Sequence, residues 1–165
     1  GEASVRSRLI SEKDMVRQAS EFAGTVPVRH LLPYWKASNR YLFSGGSVNM
    51  RDAAVYAKEE NWSKAVELWK QTYETKKGKQ KMYAAYNTAL GYEMQDSIDT
   101  ALEWALKAQT LAREKSKTDK KETGEIHNGT ISYYIFISMY VDELEKRKEG
   151  MARLNMQMNR FDDDF

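Results

Sequence analysis

One pattern of small, large apolar and polar positions occurs twice along the chain. Tyr56 is followed nine residues later by Ala65, and Tyr92 is followed nine residues later by Ala101, so the two copies are 36 residues apart. Small residues at matching positions let two helices approach closely, while the tyrosines fill the space beside them. The positions that define this repeated packing are Ala53, Tyr56, Ala65, Trp69, Ala89, Tyr92, Ala101, Ala105 and Ala108.

Short polar turns divide each copy into two helices. The turns lie at residues 58–61 and 94–96, and turns of this length join antiparallel neighbours. Asn61 precedes the second helix of the first copy, where a short polar side chain can accept a hydrogen bond from an unpaired backbone N–H. The pattern therefore predicts two helical hairpins, over about 48–76 and 81–115.

The segment on the C-terminal side predicts one long helix. Residues 115–121 form a charged connection, and beyond it the apolar positions follow a helical period. The 36-residue pattern does not recur there, since Asn128 and Ile137 stand where Tyr and Ala are expected. A stack of two hairpins needs a cap for its open end. We therefore expect a capping helix over 122–158, followed by a tail at 159–165.

Residues 1–47 are predicted to form a helix and an irregular, aromatic-rich connection. Ser11 and Asp14 lie in a plausible capping box, which opens a helix that runs to about Ala23. The segment that contains Tyr34, Trp35, Tyr41 and Phe43 is either extended or a short helix, and it is expected to cover the first hairpin. Residues 44–47 are predicted to form a hinge before the hairpins.

The repeated pattern resembles the tetratricopeptide repeat. The family's small–x2–Tyr–x8–Ala–x3–aromatic–x2–Ala motif is matched here over about 70 residues, with Thr72 in place of the last Ala of the first copy and no closing proline. The resemblance implies an all-α superhelix of antiparallel hairpins whose first helices line a peptide-binding groove. By this register, the residues expected to line the groove are Asn49, Asp52, Ala85, Thr88 and Tyr92.

A narrower resemblance is to the C-terminal half of uncharacterised envelope lipoproteins of gut anaerobic bacteria. The segments that carry it are Pro33–Trp35, Arg40–Tyr41, 65–69, 86–89 and 101–105. The resemblance implies an exported or lipid-anchored protein in the periplasm or the cell envelope. The alternative location is the cytoplasm. We also expect a leader or a further domain before Gly1.

Composition narrows the possible chemistry. The formal net charge of +2 is too small to indicate a nucleic-acid partner. The absence of cysteine excludes disulfides, thiolate metal sites and cysteine nucleophiles. No apolar run approaches the roughly 20 residues that span a bilayer. His30 and His127 lack a metal-binding context, and three adjacent aspartates at 162–164 are more typical of a tail than of a cation site.

The sequence therefore predicts a protein that is not an enzyme and holds no cofactor or metal. Its expected function is protein–protein interaction or scaffolding, with a protein or peptide partner. Two alternatives stay open. One is a structural or oligomerisation domain that uses the C-terminal helix as a homo-oligomer seam, and the other is an accessory domain of a protein whose activity lies before Gly1.

Overall fold

The computed structural model describes residues 22–30, 36–123 and 133–163. Two strands open this part of the chain, β1 (Phe22–His30) and β2 (Lys36–Phe43), which pair antiparallel with Phe22 opposite Phe43. Five helices follow and form the body of the fold. They are α1 (Val48–Lys58), α2 (Trp62–Thr75), α3 (Gly78–Met94), α4 (Ile98–Thr123) and α5 (Tyr133–Asp163).

The predicted all-α class is confirmed for the body of the molecule. Helices α1 and α2 form one antiparallel hairpin, and α3 and α4 form a second, with α3 packed against both α2 and α4. Helix α5 returns along α4, since Gln109 Nε2 donates to Ser138 Oγ at 3.0 Å. Each helix of the described ranges is too short or too polar to cross a membrane.

The turns inside the two hairpins have the same backbone geometry. Glu60 and Asp96, which are 36 residues apart, both have φ of 59°. The N–H of Asn61 donates to Tyr56 O at 2.8 Å, and the N–H of Ser97 donates to Tyr92 O at 2.9 Å. The prediction that Asn61 caps a helix is also confirmed, because its Oδ1 accepts from the N–H of Lys64 at 3.4 Å.

The repeated small residues occupy the helix contacts. All seven residues of the packing set other than the two tyrosines have no exposed surface, whereas Tyr56 and Tyr92 are half-buried. At the six alanines of this set, a side chain no larger than a methyl group lets the helix axes come close. The residues without exposed surface are Ala53, Ala65, Trp69, Ala89, Ala101, Ala105 and Ala108.

Three predicted boundaries are wrong. Residues 115–121 continue α4 to Thr123 because this stretch is charged but contains no glycine or proline to end a helix. The C-terminal helix continues through residues 159–163, which were predicted to be tail, for the same reason. Phe22 and Ala23 lie in a strand instead of at the end of a helix.

The N-terminal connection is more regular than predicted. Strand β2 includes Tyr41 and Phe43, so the extended alternative is the correct one for this part of the segment. The remainder of the predicted N-terminal helix, the aromatic residues Tyr34 and Trp35, and residues 124–132 lie outside the described residues.

Candidate functional site

The third helix has one face that meets the rest of the chain through polar and aromatic side chains. Tyr83, Tyr86, Leu90 and Glu93 are spaced three and four residues apart, so they lie on one side of α3. All four are buried. These four residues, together with Asn87, are called the inner face below, and all of them except Leu90 make contacts with β2 or α5 that are described next.

Asn87 holds the backbone of β2. Its Nδ2 donates to the carbonyl oxygen of Phe43 at 2.6 Å, and its Oδ1 accepts from the N–H of Phe43 at 3.1 Å. The Tyr86 hydroxyl donates to the carbonyl oxygen of Tyr41 at 2.8 Å. Side chains of α3 thus form hydrogen bonds with the backbone of β2, as the backbone of a neighbouring strand does in a sheet.

The ring of Phe43 fills an aromatic pocket on the inner face. It stacks on Tyr83 with 4.1 Å between centroids and an interplanar angle of 13°. It also meets Tyr86 edge-on at 5.2 Å and Phe136 of α5 edge-on at 6.3 Å. The Tyr83 hydroxyl donates to the hydroxyl of Tyr133 at 2.8 Å. The pocket therefore joins β2, α3 and α5.

A cluster of buried charges lies at the C-terminal end of the inner face. Glu93 has no exposed surface, and its carboxylate is 3.1 Å from Arg40 Nε and 3.2 Å from Arg147 Nη1. The Tyr140 hydroxyl donates to Glu93 Oε1 at 3.0 Å. Arg147 also contacts Asp96 Oδ1 at 2.8 Å. One carboxylate on α3 is thus shared between a strand and the last helix.

The surroundings fix the ionisation of these groups. Burial by itself raises the pKa of Glu93, but the guanidinium of Arg40, together with Arg147 and the Tyr140 hydroxyl, outweighs burial and holds that pKa below its ordinary value. Burial raises the pKa of the Tyr86 and Tyr140 phenols well above the ordinary range. Glu93 is therefore ionised and both phenols are neutral at pH 7.

The three residues predicted to line a groove on α3 lie on the side of this helix opposite the inner face. Ala85 and Thr88 have no exposed surface. Thr88 Oγ1 donates to the Ala84 carbonyl at 2.7 Å. Tyr92 lies on this same side, where its hydroxyl accepts from Lys70 Nζ at 2.8 Å. Ala85 and Thr88 therefore offer no surface to a partner, whereas Tyr92 is half-buried.

The other two predicted groove residues lie on α1. Asn49 is half-buried and donates to Gln71 Oε1 of α2 at 3.3 Å, at the edge of an open depression. Asp52 is exposed. The structure therefore places Ala85, Thr88 and Tyr92 on one side of α3, and Asn49 and Asp52 on α1.

Sequence reasoning missed the charged cluster that joins the inner face to β2 and α5. Arg40, Glu93 and Arg147 are far apart in sequence, since Glu93 follows Arg40 by 53 positions. A usable signal was present in the tyrosines of α3, since Tyr83 and Tyr86 recur three residues apart next to Asn87. A helix face with two phenols and an amide indicates polar contacts that an ordinary core lacks.

The histidines and aspartates considered as candidate ligands do not form a metal site in the described part of the chain. His30 lies at the end of β1, opposite Lys36, whereas His127 lies outside the described residues. Asp162 and Asp163 belong to α5. Across residues 22–30, 36–123 and 133–163, no three His, Cys, Asp or Glu side chains are grouped closely enough to hold a metal ion.

Two protein families match the chain, and their matches meet near the hinge. The model of one domain of unknown function, DUF8603, matches residues 1–43, which end at the clamped Phe43. The model of another, DUF6340, matches residues 51–146, more than half of the chain. Comparisons with curated proteins and with solved structures each gave no match. From the match that spans α1 to the buried part of α5, the chain belongs to the DUF6340 family of domains of unknown function.

Proposed function

We propose that this chain is a non-enzymatic scaffolding and protein-interaction module of the tetratricopeptide type. Its helical body fastens an extended segment on the inner face of α3. The observation that carries the proposal is the pair of hydrogen bonds between Asn87 and the peptide groups of Phe43. A side-chain amide that satisfies both the N–H and the C=O of one residue binds an extended backbone independently of its sequence.

Side-chain contacts around the clamp supply the selectivity of such a module. The aromatic pocket accepts a ring at the position of Phe43, and Glu93 accepts a guanidinium three residues earlier, at Arg40. The preferred segment therefore has the form Arg–x–x–aromatic in an extended conformation. In this chain the occupant is β2, at the end of the residues that match DUF8603. The proposed role is to join that region to the helical body.

Amide hydrogen exchange tests the clamp directly. The N–H of Phe43 donates to Asn87 Oδ1, so Asn87→Ala removes its acceptor. Loss of a buried hydrogen bond weakens the structure by about 1–3 kcal/mol, and we expect exchange at Phe43 to accelerate by roughly tenfold or more. NMR of the labelled full chain measures this rate.

The matched control is Asn49→Ala, since Asn49 forms a side-chain hydrogen bond on the outside of α1. It should leave exchange at Phe43 unchanged. Equal exchange rates at Phe43 in wild type and Asn87→Ala would contradict the fastening role of the inner face.

Binding in trans tests the interaction role. A fluorescein-labelled peptide of residues 36–47 is titrated against the full chain and against its Phe43→Ala variant, in which the segment held in cis is weakened. We expect tighter binding to the variant, because the peptide then competes with a poorer occupant. Circular dichroism verifies that the variant keeps its helices. A peptide that binds neither chain would contradict the interaction role and leave a purely structural domain.

The resemblance to envelope lipoproteins supports a place for this scaffold in the bacterial cell envelope. Fractionation of cells that express the complete gene product with an epitope tag tests this placement. We expect the tag in the envelope fraction, and recovery in the cytosolic fraction alone would contradict it.

A further inference from the structure

The last helix extends well past the body of the molecule. Arg147 is the last buried residue of α5, and the helix continues to Asp163. The sixteen residues after Arg147 extend about 24 Å at 1.5 Å per residue. The match to DUF6340 ends at residue 146, at the same point. Packing of the family domain therefore does not account for this protruding part.

One stripe of side chains runs the whole length of α5. The intervals between its members alternate between three and four residues, as in the seam of a coiled coil. As far as Arg147 the stripe is buried against the body, whereas Met151 and Leu154 are half-exposed and Met158 is 58% exposed. Its members are Ile137, Tyr140, Leu144, Arg147, Met151, Leu154, Met158 and Phe161. Met151, Leu154 and Met158 are called the protruding stripe below.

Charges beside the protruding stripe favour a second copy of the same helix, in antiparallel orientation. Lys148 and Asp162 are two heptads apart and hold the same lateral position. In an antiparallel pair that places Leu154 of one copy against Met158 of the other, each Lys148 faces the other copy's Asp162. The Lys148 ammonium contacts Asp99 at 2.8 Å, but its side chain is 56% exposed and has further donors.

The end of α5 gives a second reason for this orientation. Asp162 and Asp163 lie in the last turn, where a negative charge is unfavourable beside the unpaired carbonyls of the helix. An antiparallel neighbour brings Lys148 to this end. A parallel pair would instead place aspartates beside aspartates and crowd the two bodies at one end.

We propose that the protruding stripes of two copies pack antiparallel and make this chain a homodimer. The paired segment is residues 148–163, and the two bodies lie at opposite ends of it. The interface is short, so the dimer forms in a concentration-dependent way. The proposal is independent of the inner face, because α5 leaves the body beyond Arg147.

Sedimentation velocity of the full chain from roughly 10 to 500 µM tests for the dimer. We expect a shift from monomer to dimer over this range. Met158→Asp, which places a charge in the seam, should weaken dimerisation by at least about tenfold. Met156→Asp is the matched control, since Met156 is 57% exposed on the same helix but lies off the stripe. It should leave the dissociation constant within about threefold.

Single cysteines test the orientation, because the chain contains none. Met151→Cys and Phe161→Cys chains are oxidised separately and as an equimolar mixture. We expect the disulfide-linked dimer mainly in the mixture, since an antiparallel seam places residue 151 of one copy near residue 161 of the other.

Several outcomes overturn the proposal. A monomer at every concentration excludes the second copy as occupant and leaves the stripe for a different protein. A dimer that Met158→Asp does not weaken lies elsewhere on the surface. Equal weakening by the two Met→Asp variants removes the specific role of the stripe, and efficient cross-linking of each cysteine chain by itself indicates a parallel pair.

Discussion

Glu93 is a buried charge that its neighbours stabilise. Its carboxylate is buried, it is ionised, and it is shared by Arg40 and Arg147. A buried charge is tolerated only when its partners satisfy it through hydrogen bonds. The Tyr140 hydroxyl provides one of these. The side chain therefore holds β2 and α5 in one arrangement against α3.

Replacement of Glu93 should destabilise the folded protein. We expect Glu93→Ala to lower the free energy of unfolding by about 3–5 kcal/mol, because the buried guanidinium groups of Arg40 and Arg147 lose the carboxylate that they share. Urea denaturation followed by tryptophan fluorescence measures the change. Glu67→Ala, at an exposed position of α2, serves as the control and should change stability by less than about 0.5 kcal/mol. Equal effects of the two substitutions would exclude a stabilising charge cluster.

Acid should weaken the ion pairs of Glu93 with Arg40 and Arg147. The pKa of Glu93 lies below its ordinary value of 4.5 in the folded protein. A carboxyl of this kind stabilises the fold at pH values above its unfolded pKa, and this stabilisation is lost as the pH falls through the folded pKa. We therefore expect the free energy of unfolding to decrease below about pH 4.5. Glu93→Gln should have a flatter acid limb, and identical pH profiles would contradict this origin.

At the scale of elements, the contact between α2 and α3 depends on one glycine. A Cβ added to Gly91 would overlap Cγ2 of Val66 and lie 3.2 Å from Cζ3 of Trp69. Trp69 has no exposed surface, so the ring has little room to yield. The two hairpins thus approach each other closely at a position where α3 has no side chain.

A methyl group at this position should force the two helices apart. We expect Gly91→Ala to reduce stability by about 1–3 kcal/mol through overpacking, despite the better helix propensity of alanine. Gly150→Ala in the protruding part of α5 is the control, and there alanine should be neutral or stabilising by up to about 1 kcal/mol. Differential scanning calorimetry compares the two, and a stabilised Gly91→Ala would refute the close approach.

At the scale of the whole molecule, Phe43 is the point where three parts of the chain meet. Its ring lies among side chains of α3 and α5, and its peptide groups are bound by Asn87. Contacts of this kind couple the strand hairpin to the helices. Unfolding of the described part of the chain should then be cooperative and not proceed piece by piece.

Truncation of this ring should weaken the entire fold. We expect Phe43→Ala to lower the free energy of unfolding by about 3–5 kcal/mol, as for other buried aromatic residues. Met156→Ala is the control, since Met156 is 57% exposed and lies off the stripe of α5, and its truncation should cost less than about 0.5 kcal/mol. Circular dichroism during thermal unfolding measures both. An early loss of strand signal alone, with the helical transition unchanged, would contradict the coupling.

The sequence by itself determined the helical body. The spacing from Tyr56 to Ala65 and from Tyr92 to Ala101, the polar turns and the cap at Asn61 are local features, and helices depend mainly on neighbours three and four residues away. The ends of the helices were harder to predict than their existence. At residues 115–121, for example, a charged stretch without glycine or proline is compatible with a connection as well as with an exposed helix.

Only the tertiary structure decided which face of α3 meets β2 and α5. Ala85 and Thr88 fit a groove as well as a core from sequence alone, since small residues allow either. The partners of Asn87 and Glu93 lie 44 to 54 residues away. No local rule predicts contacts at such separations, because they depend on how whole elements pack. The contacts of the inner face could therefore be identified only from the positions of β2 and α5 in the folded chain.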